Sequence, residues 1–318
     1  MNATPIVEAR RLSKTYAGAD RPAVDEVDLS IIRGRIFGLL GPNGAGKTTF
    51  MSMLCGLLTP THGEILLDGQ DVQQASARAR RRIGLVPQDL AIYPSLTPRE
   101  NLAYFGGIQG LQGRPLARRI DYCLDVAGLG ALTHRRVETF SGGLKRRLNL
   151  VIALIHEPEL LILDEPTVGI DPQSRRFIHD NLRRLNTDGL SIIYTSHYME
   201  EVEQLCHELA IIDHGRIVVR GTMDEILNRL PSDRIALRVA RPLAQDWHGR
   251  LRAIEGVERI EFDGRAITIE SRGPQATLAR VLNALHQDGV SVISVSLGAV
   301  NLEQVFLALT GTGVRDTQ

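Results

Sequence analysis

Residues 41–48 combine glycines with a lysine and a threonine in a spacing suited to binding phosphate. The pattern G-x-x-x-x-G-K-[ST] is matched by Gly41, Pro42, Asn43, Gly44, Ala45, Gly46, Lys47 and Thr48. Glycines let a backbone curl so that its N–H groups converge on phosphate oxygens, and the positive end of a following helix faces the same anion. Lys47 would then reach the β- and γ-phosphates, and the Thr48 hydroxyl would face Mg²⁺. The run predicts a loop that binds ATP.

Two adjacent acids, Asp164 and Glu165, directly follow the apolar run Leu160–Leu163. A buried strand of this kind ends by projecting both carboxylates at the edge of the sheet where α/β proteins bind ligands. Asp164 suits Mg²⁺, which prefers oxygen ligands. Glu165 suits a general base that polarises the attacking water. Beside a phosphate-binding loop, the pair predicts hydrolysis of the nucleotide.

The elements that position these residues follow an α/β pattern over residues 6–230. Near-continuous Leu, Ile and Val runs separated by helical stretches are typical of parallel strands buried on both faces. The candidate strands of this kind are Ile36–Leu40, Ile83–Val86, Leu160–Leu163, Ser191–Thr195, Leu209–Asp213 and Arg216–Arg220. Val7–Tyr16 and Ala23–Ile32 have no helix between them and predict an antiparallel part.

Two further segments complete the predicted fold. Residues 89–147 have a helical pattern punctuated by glycines, which predicts an all-helical insertion in the α/β core. The run Leu230-Pro231-Ser232-Asp233 marks a boundary, so we expect a nucleotide-binding domain over 1–231 and an accessory domain over 232–318. The accessory domain has the order β-α-β-β-α-β, which predicts a small ferredoxin-like α+β module.

Composition excludes several classes of protein. The 37 basic and 37 acidic side chains give a net charge of zero, which argues against a dedicated nucleic-acid binder. The three cysteines lack metal-ligand spacing and are typical of thiols in a reducing cytosol. No signal peptide is visible at the N-terminus. The longest clean apolar run, Leu150–Ile155, is far shorter than the roughly 18 residues of a spanning helix, so any membrane role would be peripheral.

Several further motifs resemble those of ABC-transporter ATP-binding subunits over residues 6–230. Phe140-Ser141-Gly142-Gly143 resembles the family's signature motif. The resemblance implies that Ser141, Gly142 and Gly143 contact the γ-phosphate of ATP held by the opposing subunit. Gly169-Ile170-Asp171 resembles the D-loop, in which Asp171 reaches across the dimer.

The same resemblance assigns roles to residues at other strand ends. Gln88 resembles the Q-loop glutamine, which contacts Mg²⁺ or the water and signals to the membrane partner. His197 resembles the H-loop histidine, which contacts the γ-phosphate and positions the catalytic dyad. Tyr16 resembles the aromatic residue that stacks on adenine, and Thr49 joins the expected ATP contacts.

One departure places the chain in a branch of the family. The common signature ends in glutamine, whereas here Leu144 follows Gly143 and Lys145-Arg146-Arg147 comes next. This variant resembles drug-export (daunorubicin-resistance-type) and polysaccharide- or nodulation-factor-export ATPases, as does the tail Asn301–Gly311, so Leu144 does not indicate inactivation. We interpret the basic trio as a solvated helix face or an interface with phosphate or a partner.

The resemblance implies an exporter ATPase that uses ATP and Mg²⁺. It would form a head-to-tail dimer with a second copy and serve a separately encoded integral-membrane permease at the cytoplasmic face of the membrane. One alternative is a soluble ATPase of the same superfamily that acts on nucleic acid or ribosomes. Those proteins usually show paired nucleotide domains or long coiled coils, and neither is present. Another alternative is a module that binds ATP without hydrolysing it, against which Lys47, Asp164, Glu165 and His197 argue.

Overall fold

The computed structural model describes residues 4–74, 81–228, 234–244, 246–297 and 301–311. Contacts between Cα atoms divide the chain into two compact units. One unit is Met1–Met223 with Leu309–Gln318, and the other is Asp224–Ala308. The predicted boundary at 230–233 lies outside the described residues.

The first sheet in chain order is antiparallel. Strand β1, Pro5–Lys14, lies in its interior, and the order is β2-β1-β4-β5, with β2 Val24–Ile32, β4 His62–Leu67 and β5 Gln70–Asp71. The two longer strands confirm the predicted antiparallel part. Strands β4 and β5 were not among the strands predicted from the sequence.

A second sheet of six strands forms the centre of the first unit. Its order is β10-β9-β3-β8-β7-β6, and only β10 pairs antiparallel. The strands are β3 Ile36–Leu40, β6 Ile83–Val86, β7 Leu160–Asp164, β8 Ser191–Thr195, β9 Glu208–Asp213 and β10 Arg216–Thr222. All five residues of β3 and of β8 are buried, as expected for inner strands covered on both faces. The predicted, largely parallel α/β core is therefore confirmed.

Helix α1, Lys47–Leu54, joins the two sheets. One hydrophobic cluster contains Phe50 and Met53 of this helix, strand residues of the antiparallel sheet such as Ile65, and Phe37 and Ile162 of the central sheet. These side chains are at most 1 % exposed. The packing fixes the start of α1, and with it the loop that precedes it, against a rigid core.

The segment between β6 and β7 is helical. It contains α2 Pro98–Ile108, α3 Gly113–Val126 and α4 Gly142–Ile152, with short 3₁₀ turns at Gly130–Leu132 and Val137–Thr139. Thr97 begins α2 with a capping box, because its hydroxyl accepts from the Glu100 backbone and the Glu100 carboxylate accepts from the Thr97 N–H. Between β7 and Arg234, the described chain contains the helices α5 Pro172–Thr187, α6 Met199–Leu205 and α7 Met223–Leu227.

The second unit has the predicted β-α-β-β-α-β order. Its sheet order is β12-β13-β11-β14, with every pair antiparallel. The elements are β11 Arg234–Val239, α8 Asp246–Arg252, β12 Val257–Asp263, β13 Ala266–Ser271, α9 Pro274–Gln287 and β14 Val292–Leu297, followed by α10 Leu302–Thr310. Ile235, Leu237 and Ile269 of the sheet cluster with Trp247 and Val281 of the helices, so the unit has its own core.

Candidate active site

The phosphate-binding loop leaves β3 and enters α1 through two glycines in left-handed conformations. Gly44 has φ +80° and Gly46, the residue before α1, has φ +107°. A Cβ atom on Gly46 would lie 2.3 Å from the carbonyl oxygen of Ala23, and one on Gly41 would lie 2.3 Å from that of Ile212. Only glycine fits these positions, so the curl of the loop is fixed by its neighbours as well as by its own sequence.

Lys47 folds its ammonium group back over this loop. Its Nζ atom donates to the carbonyl oxygens of Gly41, at 2.7 Å, and Pro42, at 3.1 Å. Burial lowers the pKa of Lys47, while the carboxylates of Glu165 and Asp164 counteract that shift. A positive charge is thus held at the place where the loop would receive phosphate.

Tyr16 lies beside the end of the same loop. Its hydroxyl is 3.3 Å from the Thr49 hydroxyl, and its side chain is 47 % exposed. An exposed aromatic ring tethered to the phosphate-binding helix offers a flat face to a stacked base. The geometry is consistent with the predicted adenine contact.

Asp164 ends β7 and is held by the neighbouring strand. The Thr195 hydroxyl donates to its Oδ1 atom at 2.9 Å and accepts from the Glu165 N–H at 3.0 Å. Burial raises the pKa of Asp164, and hydrogen bonds from Thr195 and Thr48 counteract this. Asp164 therefore lies next to Thr48 of the phosphate loop.

Glu165 is the centre of a buried polar group. Its Oε2 atom lies 3.3 Å from Nδ1 of His197 and 3.4 Å from Nε2 of Gln88, and the residue is 8 % exposed. The hydrogen bond from His197 is the largest influence on its pKa and lowers it, against the effect of burial. Glu165 is thus held as an ionised carboxylate, the form that a general base needs. Its backbone has φ +46°, a strained conformation of the kind that clusters at functional sites.

The predicted signature and D-loop residues form a second cluster. Ser141 caps α4, where its hydroxyl accepts from the Leu144 N–H at 3.4 Å, and both Ser141 and Gly142 are exposed. Asp171 caps α5, where its carboxylate accepts from the Ser174 N–H at 2.8 Å. That bond lowers the pKa of Asp171.

The structure brings the predicted residues together as two groups. Gln88 and His197 contact Glu165, and the carboxylates of Glu165 and Asp164 lie near enough to Lys47 of the phosphate loop to raise its pKa. Within the described residues, no hydrogen bond or ion pair joins Ser141–Gly143 or Asp171 to Gly41–Thr48. One chain therefore presents a loop that holds phosphate and a separate, exposed helix N-terminus suited to the same kind of anion.

Two of the three basic residues after Leu144, Arg146 and Arg147, do not form a solvated helix face. Arg146 donates to the carbonyl oxygens of Gln88 and Val168, and the Arg147 guanidinium lies 3.8 Å from the centre of the Phe177 ring. That part of the interpretation was wrong, because tertiary neighbours occupy both arginines. Arg146 instead joins α4 to the backbone of Gln88. Sequence reasoning also missed Thr195, which only the pairing of β7 with β8 places beside Asp164.

Comparison with known proteins supports the same assignment. Residues 24–168 match the family model described as ABC transporter. The linearmycin resistance ATP-binding protein of Bacillus subtilis is 38% identical over 98% of this chain and 100% of its own length. A Nod factor export ATP-binding protein of Cupriavidus pinatubonensis is 39% identical over 98% of this chain and 93% of its own.

A third relative and a solved structure agree with these two. The daunorubicin/doxorubicin resistance ATP-binding protein of Streptomyces peucetius is 37% identical over 98% of this chain and 94% of its own. A solved ATP-binding subunit of an ABC transporter superposes with a TM-score of 0.64 at 28% identity, over 70% of this chain and 92% of that one. The chain therefore belongs to the ABC transporter family, as an ATP-binding and ATP-hydrolysing subunit homologous to the drug-resistance and Nod factor export ATPases.

Proposed function

We propose that this ATPase hydrolyses Mg²⁺-bound ATP between two copies arranged head to tail and so drives a separately encoded membrane permease. The observation that carries the proposal is the division of the predicted site. Glu165, His197 and Gln88 gather at the phosphate loop, while Ser141 and Asp171 lie in a cluster of their own. The relatives, all ATP-binding proteins of resistance or export, do not favour the alternative of action on nucleic acid or ribosomes.

ATP binding would use the curled loop and the Lys47 ammonium that lies over it. Backbone N–H groups between Gly44 and Thr49 would surround the phosphates, with the Lys47 ammonium among them. Tyr16 would cover the adenine with its exposed ring. The Lys47 ammonium donates to the carbonyl oxygens of Gly41 and Pro42. Phosphate oxygens would replace these two acceptors, so binding would remove little water from the ammonium group.

Thr48, Gln88 and Asp164 would hold Mg²⁺. Their side chains supply hydroxyl, amide and carboxylate oxygens, the ligands that this ion prefers, and the Thr48 hydroxyl is close enough to Asp164 to lower the pKa of its carboxyl group. Among the described residues, no group of three or more His, Cys, Asp or Glu side chains is arranged to hold a metal. Such a site fits an ion that arrives with ATP and neutralises charge on its phosphates.

Hydrolysis would depend on the Glu165 carboxylate. A water between Glu165 and the γ-phosphate would lose a proton to Oε2 as its oxygen attacks the γ-phosphorus, and the bond from that phosphorus to the β–γ bridging oxygen would break to release ADP. His197 would orient that carboxylate and contact the γ-phosphate, and Gln88 would hold the same oxygen from the other side. These bonds fix the carboxylate before substrate binds, which favours the transition state.

Ser141, Gly142, Gly143 and Asp171 would complete the site of the other copy. The exposed end of α4 would meet the γ-phosphate bound to the partner's loop. Neither half-site is complete alone, so ATP would favour the closed dimer and hydrolysis would release it. Arg146 would pass this change to the Q-loop, because it bonds to the carbonyl of Gln88.

The permease would bind the surface that follows Gln88. Leu90, Tyr93, Tyr104 and Ile108 are large apolar side chains that are 37–58 % exposed. Tyr93 and Tyr104 pack edge to face with ring centres 4.9 Å apart. No helix of the described chain is long and apolar enough to span a bilayer. We place the protein at the cytoplasmic face of the membrane through this partner, which would carry an exported drug, lipid or polysaccharide.

We also propose that residues 232–318 form an accessory domain to a nucleotide-binding domain of 1–231, with the helical insertion at about 89–147. The separate core around Leu237, Ile269 and Trp247 supports this division.

A mixing experiment tests the shared site. Lys47→Ala removes the phosphate-binding lysine, and Ser141→Arg blocks the signature cluster. Each variant should be inactive alone. Mixed at equal amounts, they should recover ATPase activity, because one of the two sites in a mixed dimer contains both wild-type residues. If the mixture stays inactive while both variants fold and dimerise, the site is not shared.

A further inference from the structure

A buried carboxylate lies behind the catalytic residues and has no part in the mechanism above. Glu201 is the third residue of α6 and is 4 % exposed. Three hydroxyls donate to it: Thr167 at 2.9 and 2.8 Å, Tyr194 at 2.7 Å and Ser196 at 3.0 Å. A buried carboxylate is stable only when hydrogen-bond donors surround it, and here the donors come from several segments of the chain.

Helix α5 completes the surroundings of this carboxylate. Arg175 forms an ion pair with Glu201, with Nε 3.1 Å from Oε1. His179 lies 3.2 Å from the Tyr194 hydroxyl and 3.9 Å from the carboxylate. The same helix carries Asp171 at its N-cap. Glu201 therefore joins the D-loop helix to β8 and α6.

The partners of Glu201 flank the catalytic pair in sequence. Thr167 is two residues after Glu165, and Ser196 directly precedes His197. The Ser196 hydroxyl also accepts from the Tyr198 N–H at 2.9 Å, which fixes the backbone on both sides of His197. One carboxylate thus connects the segments that hold Glu165 and His197, whose side chains are 3.3 Å apart.

We propose that Glu201 is a positioning residue for ATP hydrolysis, which holds the Glu165 and His197 segments in register and couples them to the helix that carries Asp171. The proposal rests on the proposed function, in which Glu165 and His197 act on the water. Glu201 contacts neither the phosphate loop nor Tyr16 through its hydrogen bonds, so its effect falls on the chemical step. A shift of about 1 Å in reacting groups lowers rates by about 100-fold.

The test compares Glu201→Gln with Glu200→Gln in the full-length protein. Glu200 is the exposed neighbour on the same helix. We expect Glu201→Gln to lower kcat by about 10-fold or more while KM and the Kd for ATP change by less than about 3-fold, and Glu200→Gln to match wild type. A wild-type kcat, or a loss of ATP affinity as large as the loss of kcat, would overturn the proposal. Thermal unfolding of each variant separates these effects from misfolding.

A second pair of variants decides the matter if Glu201→Gln does not fold. Thr167→Val removes one hydroxyl donor and keeps the shape of the side chain, whereas Thr167→Ser keeps the hydroxyl and loses a methyl group. The proposal expects kcat to fall further in the valine variant, with equal ATP affinity in both. Equal kcat values would overturn it.

Glu165→Gln in the same assay distinguishes failure of the proposed function from failure of the positioning role of Glu201. If that variant hydrolyses ATP normally, the proposed function fails. If it is inactive and the Glu201 variants hydrolyse ATP like wild type, only the positioning role fails.

Discussion

Nδ1 of His197 lies 3.3 Å from Oε2 of Glu165, and the hydrogen bond between them lowers the pKa of the carboxyl group. The two residues follow adjacent parallel strands, β8 and β7, whose carboxyl ends meet at one edge of the sheet. The pairing of these strands thus places the proposed general base, Glu165, beside the histidine that we propose orients it.

His197→Ala should therefore impair hydrolysis more than binding. Without the imidazole, Glu165 loses the partner that orients it, and the γ-phosphate loses an expected contact. We expect kcat to fall by about 100-fold and the Kd for ATP to change by only a few fold. Steady-state kinetics and equilibrium binding measure the two effects. His214→Asn is the control, since His214 is 89 % exposed and asparagine tolerates its φ of +44°. Equal losses in kcat and affinity would contradict the assignment.

Replacing the adjacent glycines Gly142 and Gly143 by alanine should affect the stability of the fold differently. A Cβ atom on Gly143 would lie 2.0 Å from Oγ of Ser174, so Gly143→Ala forces α4 away from the start of α5. We expect a loss of about 1–3 kcal/mol in the free energy of unfolding. A Cβ atom on Gly142 meets nothing closer than 3.9 Å, and alanine favours a helix, so Gly142→Ala should not destabilise the chain. Denaturant titrations measure both. Equal destabilisation would show that this packing does not constrain the signature.

A ring of four charges should stabilise the end of the central sheet away from the site. Arg82 bonds to Glu159 and Asp68, and Arg33 bonds to the same two carboxylates, at 2.5–2.9 Å. The side chains are 24–43 % exposed, so solvent screens each pair. Arg82→Met should lower the free energy of unfolding by about 1 kcal/mol at low salt and by less at 1 M salt. The more exposed Arg10→Met should have a smaller effect. A loss that does not depend on salt would show that packing dominates.

Acid should destabilise the fold partly through His156. Burial is the largest influence on its pKa and lowers it, and its Nδ1 atom has no hydrogen-bond partner among the described residues. The unfolded chain binds this proton below about pH 6.5, whereas the folded chain resists it, so stability is lost as the pH falls from there towards the folded pKa. His156→Gln keeps a donor for the Ile83 carbonyl and does not titrate.

Unfolding curves at pH 7.5 and 5.5 test this expectation. The free energy of unfolding should fall less between these pH values in His156→Gln than in wild type. Part of the loss should remain, because burial also lowers the pKa of His179. Parallel losses in the two proteins would contradict the role of His156.

Site residues that lie in one contiguous motif can be predicted from the sequence, whereas residues whose partners are distant in the chain cannot. The phosphate loop and the acids after β7 are contiguous, and burial of Leu160–Leu163 is visible as an apolar run. Strand β4, His62–Leu67, was missed because its alternation is weak and its pairing with β1 is between distant parts of the chain. Arg146 and Glu201 were missed as connecting residues for a related reason. Their partners come from separate segments, which only the fold brings together.

We propose that ATP binding brings two copies together in a dimer, in which each ATP contacts both copies. Light scattering of Glu165→Gln, with and without Mg²⁺–ATP, tests it most directly. Glutamine keeps the shape of the side chain and cannot accept the proton of the water, so bound ATP should persist. The account predicts a monomer without ATP and a stable dimer with it, which Ser141→Arg in the same chain abolishes. A variant that stays monomeric with ATP and hydrolyses it at the wild-type rate would contradict the account.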